Sequence, residues 1–256
     1  MTPLGVDLLV VDYRSPDDLA KCLGSIDPSD DLDVAVWIGC VDSREAADVA
    51  RNYFIESGRD GDVISWADNV GWNRAVNRLG TLGTHPIIGC LNSDTALTHI
   101  GLTELALATA NNEEWGVVGP RQQDSRGRLT AGGILGTQTE PRHRGWHAMA
   151  GYEDIREDCV YVAGSALFLR RAVWDELTAC RYYRSVCDEP GPWLDTQHYY
   201  GDSYLSLHAR EHGYAAAYLG TTTILHECGA KTSRERDDAD RARFRAACDA
   251  HGIARE

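Results

Sequence analysis

The chain has 256 residues, a formal net charge of −14 and 43% hydrophobic residues. That length suits one large domain with a full core, and the hydrophobic fraction excludes disorder over most of it. The acidic balance argues against a duplex nucleic-acid partner, which needs a basic surface, but admits a small anionic ligand accompanied by a metal ion or a local basic cluster.

Val6 to Asp12 is a continuous apolar run ending in an acid, which predicts a buried strand. Ser15-Pro16-Asp17-Asp18 predicts a helix start, with Ser15 as cap and Pro16 in the first turn. Val34 to Asp42 is a second strand, Ser43 to Tyr53 a helix, Val63 to Trp66 a third strand and Trp72 to Leu82 a helix. Pro86 to Leu91 is a short apolar run that stops abruptly at Asn92-Ser93-Asp94, with a helix expected over Thr98 to Ala110. Strand and helix alternate to this point, which implies parallel βαβ units.

The pattern then changes. Trp115 to Pro120 is a strand leading into polar Arg121 to Arg128. Residues 137 to 157 are polar, with Arg142, His143, Arg144, Trp146 and His147, and read either as a flap over a site or as a solvated loop. Arg171 to Leu177 reads as helix and 186 to 198 as loop. Ser203 to His212 is an amphipathic helix stopped by Gly213, and Ala215 to Leu225 is a last strand. Residues 231 to 256 are highly charged and predict a helix anchored by Phe244 and Ile253.

No apolar run approaches the roughly 20 residues of a membrane span. Met1 to Asp7 lacks the basic flank of a signal peptide, so a cytoplasmic location is expected. The eight cysteines are scattered without a C-x-x-C pair, which predicts reduced, mostly buried thiols rather than a zinc cluster or disulfide framework.

Asn92-Ser93-Asp94 follows a buried strand, and an open parallel sheet binds its ligand at the carboxyl ends of its strands. An acid there can hold a divalent cation, and the cation a diphosphate. The alternative is that these residues cap the next helix.

Five segments, in order, resemble the family-2 glycosyltransferases of the GT-A fold over about residues 6 to 230. They are Leu9-Val10-Val11-Asp12-Tyr13-Arg14 with Leu19 and Leu23; Asp42-Ser43; Asn69-Val70-Gly71-Trp72-Asn73 with Asn77; Leu91-Asn92-Ser93-Asp94 in place of the D-x-D motif; and Tyr200-Gly201-Asp202-Ser203 in place of the Glu-Asp motif, followed by Gly213-Tyr214 and His226. The Asn form of the D-x-D motif is closest to rhamnosyltransferase-like members. The resemblance implies an α/β fold with a Rossmann-like, mostly parallel sheet flanked by helices. It implies a nucleotide-sugar-binding half (about 1–110), an acceptor-facing half (about 111–230) and a charged helical extension over 231–256.

The resemblance also implies roles. Asp94 and His226 would hold a divalent metal, manganese or magnesium, with the imidazole favouring manganese. Asp12, Tyr13, Asp42, Asn69, Gly71, Asn73, Asn92 and Ser93 would border the nucleotide sugar with Asp94. Asp42 and Tyr13 lean slightly toward a UDP or dTDP donor. Gly164, Ser165, Trp193 and Tyr200 would line the acceptor side, with Tyr199 nearby. The acceptor carries a free hydroxyl, on a glycan, a protein or a modified base. Asp202 would be the general base of an inverting transfer, although Asp is also a good helix cap.

Two positions depart from the family. Asn92 keeps an oxygen acceptor but no charge. Gly201 stands where many relatives have Glu, and Asp195 or Glu189 are the candidates to replace it. Other readings of the chain are a non-catalytic nucleotide-sugar binding module and a sugar-nucleotide pyrophosphorylase. The second wants a Gly-rich first turn, and Asp12-Tyr13-Arg14-Ser15-Pro16 contains no glycine.

Overall fold

A computed structural model describes residues 2–98, 100–227 and 234–253. The first half runs β1 (Leu4–Tyr13), α1 (Pro16–Gly24), β2 (Leu32–Val41), α2 (Arg44–Ser57), β3 (Gly61–Trp66), α3 (Trp72–Leu79), β4 (Ile87–Asn92), β5 (Thr95–Ala96) and α4 (Gly101–Asn111). The second half runs β6 (Trp115–Gln123), β7 (Leu129–Ala131), β8 (Ile134–Gly136), β9 (Pro141–His143), β10 (Ile155–Arg156), β11 (Ala166–Arg170), α5 (Arg171–Ala179), α6 (Arg181–Val186), α7 (Gly201–Glu211), β12 (Ala215–His226) and α8 (Arg234–His251).

Among the described residues one ten-stranded sheet is ordered β10-β12-β6-β11-β4-β1-β2-β3, with β5 paired to β12 and β7 to β6. Strands β3, β2, β1 and β4 are mutually parallel. Antiparallel β11 joins β4 to β6, which runs parallel to β12. The α/β fold and the mostly parallel sheet expected from the sequence are both present.

Burial on both faces explains the unbroken apolar strands. Val6, Leu8 and Val10 of β1 pack with residues of α1, α2 and α4, whereas Leu9 and Val11 pack on the other side with Val76, Leu79 and Trp174. A third cluster holds Tyr183, Leu194 and Tyr204 against Phe244, Cys248 and Ile253, so α8 is seated by the two expected anchors. Residues 231–233 and 254–256 of the expected terminal helix lie outside the described residues.

Several boundaries differ from those the sequence suggests. Helix α3 stops at Leu79 because Gly80 caps it through its N–H to Val76 O. Strand β6 continues past Pro120 to Gln123, since β12 remains alongside and pairs with Arg121, Gln122 and Gln123. Helix α4 begins at Gly101 with Ile100 as its cap. Asn92-Ser93-Asp94 therefore does not cap it, and the alternative role for that motif falls away.

Candidate active site

Strand β4 delivers Asn92 to the carboxyl edge of the sheet, and the chain turns at Ser93-Asp94 into β5. Asn92 N–H donates to Ser165 O at 2.9 Å, Ser93 N–H to Val11 O at 3.2 Å, and Thr95 Oγ1 to Asn92 O at 2.7 Å. Strand β5 pairs antiparallel with the end of β12, His226 opposite Thr95. That register brings His226 Nε2 to 3.6 Å from Asp94 Oδ1. Burial pushes the Asp94 pKa up and the His226 pKa down, each against the pull of the other's charge.

A carboxylate oxygen and an imidazole nitrogen 3.6 Å apart lie within reach of one divalent ion, because two bonds of about 2.0–2.2 Å exceed that distance. The donor set fits manganese or magnesium completed by diphosphate oxygens and water.

Asp202 sits in the first turn of α7, just after Tyr200, whose φ of 66° is left-handed. Its Oδ2 accepts the Gly164 N–H at 2.9 Å and its Oδ1 accepts its neighbour Ser203 N–H at 2.7 Å. Helix α7 begins at Gly201, so Asp202 is not the N-cap, although it does satisfy one first-turn amide. Burial raises its pKa, opposed by the Gly164 and Ser203 bonds and by the charge of His198.

Both groups face one cavity of about 430 Å³. Trp72 and Asn73 of α3, Asn92 and Asp94 line one side, and Ala163, Gly164 and Ser165 the segment before β11. Trp193, His198 and Tyr199 come from the loop before α7, and Asp202 and His226 complete the wall. Of the residues nominated from sequence, Asn73, Asn92, Asp94, Gly164, Ser165, Trp193, Asp202 and His226 are thus brought together. Trp72, Ala163 and His198 line the cavity as well. Two of these carry a sequence signal: Trp72 is the aromatic of Asn69-Val70-Gly71-Trp72, and His198 opens the run His198-Tyr199-Tyr200 just before Gly201-Asp202.

The other nominees have different surroundings. Asp12 is fully buried and accepts the Ser15 N–H at 3.2 Å, bracing the β1–α1 turn. Ser93 is buried behind the Asp94 turn. Asp42 pairs with Arg14, whose guanidinium lies 5.3 Å from the centre of the exposed Tyr13 ring. Arg14 and Asp42 both have left-handed φ, 57° and 53°. Strand order places this group at the same edge as Asn92, on the neighbouring strands. Asn69 Oδ1 accepts the Gly71 N–H at 3.0 Å. Gly71 itself has φ 85°, and a Cβ there would lie 2.9 Å from Gln197 O, so the close approach it allows is by this chain's own backbone.

Asn73 is buried rather than solvent-facing, and its amide donates to Thr196 O at 3.0 Å and Thr196 Oγ1 at 2.6 Å. Trp193 is 0% exposed and packs edge-on against Trp72, ring centres 4.8 Å apart. Stacking of a sugar on Trp193 is therefore closed off, and the accessible ring of the pair is Trp72. Tyr200 is turned away from the cavity. It stacks on Phe244 of α8 at 5.3 Å and accepts from Arg241 at 2.9 Å, while neighbouring Tyr199 lines the wall.

Neither candidate for the missing glutamate lines the cavity. Asp195 pairs with Arg243 at 2.7 Å, and Glu189 lies 3.5 Å from both Arg74 and Arg78. The space beside Gly201 is taken by the Asn73 amide, with which any Cβ at Gly201 would collide.

The polar segment 137–157 is tied down by Arg144, which bonds Asp154 at 2.8 Å and Gly132 O at 3.1 Å. Burial lowers the His143 pKa, opposed by the charge of Asp202, and Trp146 lies 5.5 Å from His143. Among the described residues no helix is long and apolar enough to cross a membrane.

No protein-family model and no curated protein sequence matches this chain. Solved structures do. GalNAc-T7 with UDP, GalNAc and Mn2+ superposes with TM-score 0.68 at 12% identity, over 93% of this chain and 48% of that one. The mannosyltransferase PcManGT from Pyrobaculum calidifontis, in complex with GDP-Man and Mn2+, gives 0.65 at 14% identity, over 99% and 65%. TarS 1-349 from S. aureus with UDP-GlcNAc gives 0.64 at 11% identity, over 96% and 66%. The chain spans about half to two thirds of the length of these proteins. With the sheet order, the Asn92–Asp94 turn and the shared cavity already in place, these superpositions establish that the chain has the fold of the GT-A glycosyltransferases.

Proposed function

We propose that this chain is a metal-dependent, inverting glycosyltransferase that moves a sugar from a nucleoside diphosphate to an acceptor hydroxyl. One arrangement carries the proposal: a single cavity gathers Asp94 and His226, 3.6 Å apart, with Asp202, although the three come from distant parts of the chain. The superposed proteins hold UDP, GDP-Man or UDP-GlcNAc, two of them with Mn2+, which supports a nucleotide-sugar donor and manganese. The Tyr13–Arg14–Asp42 group at the strand edge is the surface proposed to meet the nucleoside base, with uridine or thymidine preferred.

Asp202 takes the proton of the acceptor hydroxyl as that oxygen bonds to the anomeric carbon. The bond from that carbon to the diphosphate breaks, and the nucleoside diphosphate leaves with the electron pair. A single displacement of this kind inverts the anomeric centre. Asp94 and His226 would hold the divalent ion, which as a Lewis acid supports the charge growing on the leaving diphosphate. Asn92, uncharged, supplies an acceptor beside them. Trp72 and Tyr199 offer apolar surface to the sugars and restrict water.

The test is release of free nucleoside diphosphate from UDP-, dTDP- and GDP-sugars, with manganese, magnesium or chelator. Release that needs a divalent ion is expected. A chain that binds donors, as judged by thermal shift, but releases no nucleoside diphosphate with any acceptor class is a binding module instead.

A further inference from the structure

Away from the cavity, four side chains from three segments converge where α8 ends. Cys180 lies between α5 and α6. His208 is in the last turn of α7, and His212 follows one turn later. His251 ends α8. One donor atom each from Cys180, His208 and His251 lie within 4.8 Å of one another, and Cys180 Sγ is 3.9 Å from His251 Nε2. The His208 ring lies edge-on to the His212 and His251 rings, at 5.0 and 4.6 Å.

The hydrogen bonding of this group points to a missing partner. His208 is 0% exposed, and neither ring nitrogen has a hydrogen-bond partner among the described residues. A buried polar group without a partner is rare and costly. The two outer histidines are oriented from behind. His212 Nδ1 is 2.7 Å from Glu176 Oε1, whose other oxygen accepts from Tyr214 Oη. His251 Nδ1 is 3.0 Å from Tyr204 Oη. Each ring thus has its Nδ1 engaged outward and its Nε2 left for the cluster, the arrangement in which outer partners orient metal-bound imidazoles.

We propose that Cys180, His208 and His251, with His212 as fourth donor, form a structural zinc site. One thiolate and three imidazoles match the tetrahedral sulfur and nitrogen preference of zinc, not the oxygen preference of magnesium. Bond lengths of about 2.0–2.3 Å require Cys180, His208 and His251 to draw in by roughly an ångström, and His212, which lies outside that 4.8 Å group, to move further. The site would fasten α8 to α7. Asp240 of α8 accepts the backbone N–H groups of Gln197, His198 and Tyr199, each at 2.9 Å, so the ion would also steady one wall of the cavity. The sequence hides such a site because only His208 and His212 share a local spacing, one helical turn apart, while Cys180 and His251 lie far from them in the chain.

The experiment is metal analysis and cobalt exchange on the full chain. After zinc loading and desalting, about one tightly held zinc per chain is expected. The cobalt form should show tetrahedral visible bands with a thiolate-to-cobalt charge-transfer band. Asp94→Ala should keep that band and Cys180→Ser should lose it. In Asp94→Ala, which weakens the other metal site, stripping the zinc should lower Tm by about 5 °C or more, reversed by zinc but not by manganese or magnesium. His251→Gln should lose most of the bound zinc. The proposal is overturned if the wild-type chain retains no stoichiometric zinc, or if its cobalt form lacks the charge-transfer band. These wild-type measurements stand whether or not the variants fold.

Discussion

Asp202 accepts a hydrogen bond from the Gly164 N–H at 2.9 Å, and a Cβ on Gly164 would lie 2.9 Å from the Cβ of Asp202. The glycine is thus pressed against the carboxylate that it orients. Asparagine at position 202 keeps an acceptor oxygen for that N–H but cannot take a proton from a hydroxyl. Asp202→Asn is expected to lower kcat by about 10²–10⁴-fold, with donor affinity little changed. Unchanged turnover would remove Asp202 as the base.

Burial raises the Asp202 pKa above the ordinary aspartate value, and this has two signed consequences. The base acts only when ionised, so the acid limb of kcat/KM should lie above the range of an ordinary aspartate. A raised carboxyl pKa also means that the folded state prefers the protonated form, so this group's contribution to stability falls as pH rises from the unfolded pKa through the folded one. Asp202→Asn should therefore gain stability relative to the wild type over that rise. Denaturation midpoints of both proteins at several pH values measure it, and an Asp202→Asn midpoint that falls relative to the wild type as pH rises contradicts the assignment.

Asp94 and His226 make a different prediction. Removing either leaves the proposed ion with one protein ligand, so Asp94→Ala and His226→Ala should each raise the manganese concentration for half-maximal turnover by at least about tenfold, the scale at which even outer-sphere changes act. Excess metal should restore part of the rate in His226→Ala, which keeps the carboxylate. Metal activation curves for the three proteins test this, and coincident curves would remove the pair from the metal site.

Much of the fold is legible in the chain because β1, β2 and β4 are buried on both faces and therefore read as unbroken apolar runs. Asp94 and Asp202 stand out because each follows a motif in a recognisable order. The partners that orient them do not stand out. The Gly164 N–H reaches Asp202 across 38 residues, and the Asn73 amide meets Thr196 across 123. Trp193 and Tyr200 look equally available in sequence, but whether an aromatic ring faces a cavity or a core depends on packing against Trp72 or Phe244, which no local spacing encodes. The extension of β6 beyond Pro120 is hidden for the same reason, since it depends on β12, about a hundred residues later.

Gly201 provides a test of packing. A glutamate there would drive a Cβ into the Asn73 amide, which its bonds to Thr196 hold in place. Gly201→Glu should therefore destabilise the chain by about 1–3 kcal/mol through overpacking and should not raise turnover. Adding Asn73→Gly makes room, so the double variant should recover part of that loss, a non-additivity expected of residues in contact. Urea midpoints of the two single variants and the double variant decide it. A Gly201→Glu protein as stable as the wild type would show that the Asn73 amide yields freely.

Strand β1 carries a buried acid at each end, and the two ends of a parallel sheet differ in role. Asp12 lies at the carboxyl end, beside the site. Asp7 lies near the amino end, 1% exposed, where it accepts Arg171 at 2.8 Å, the His85 N–H at 2.9 Å and Trp37 Nε1 at 3.0 Å. Arg171 opens α5 and also donates to Gly80 O at 2.6 Å, so it joins α5 and the end of α3 to the edge of the sheet. Arg171→Ala would leave the Asp7 charge buried without its cation. The expected cost is about 3–5 kcal/mol, a fall in Tm of roughly 6–20 °C for a chain of this size. Because the pair lies at the edge opposite the cavity, kcat/KM measured well below that Tm should be unchanged. A loss of turnover without a loss of stability would place Asp7 and Arg171 in the catalytic machinery rather than in the scaffold.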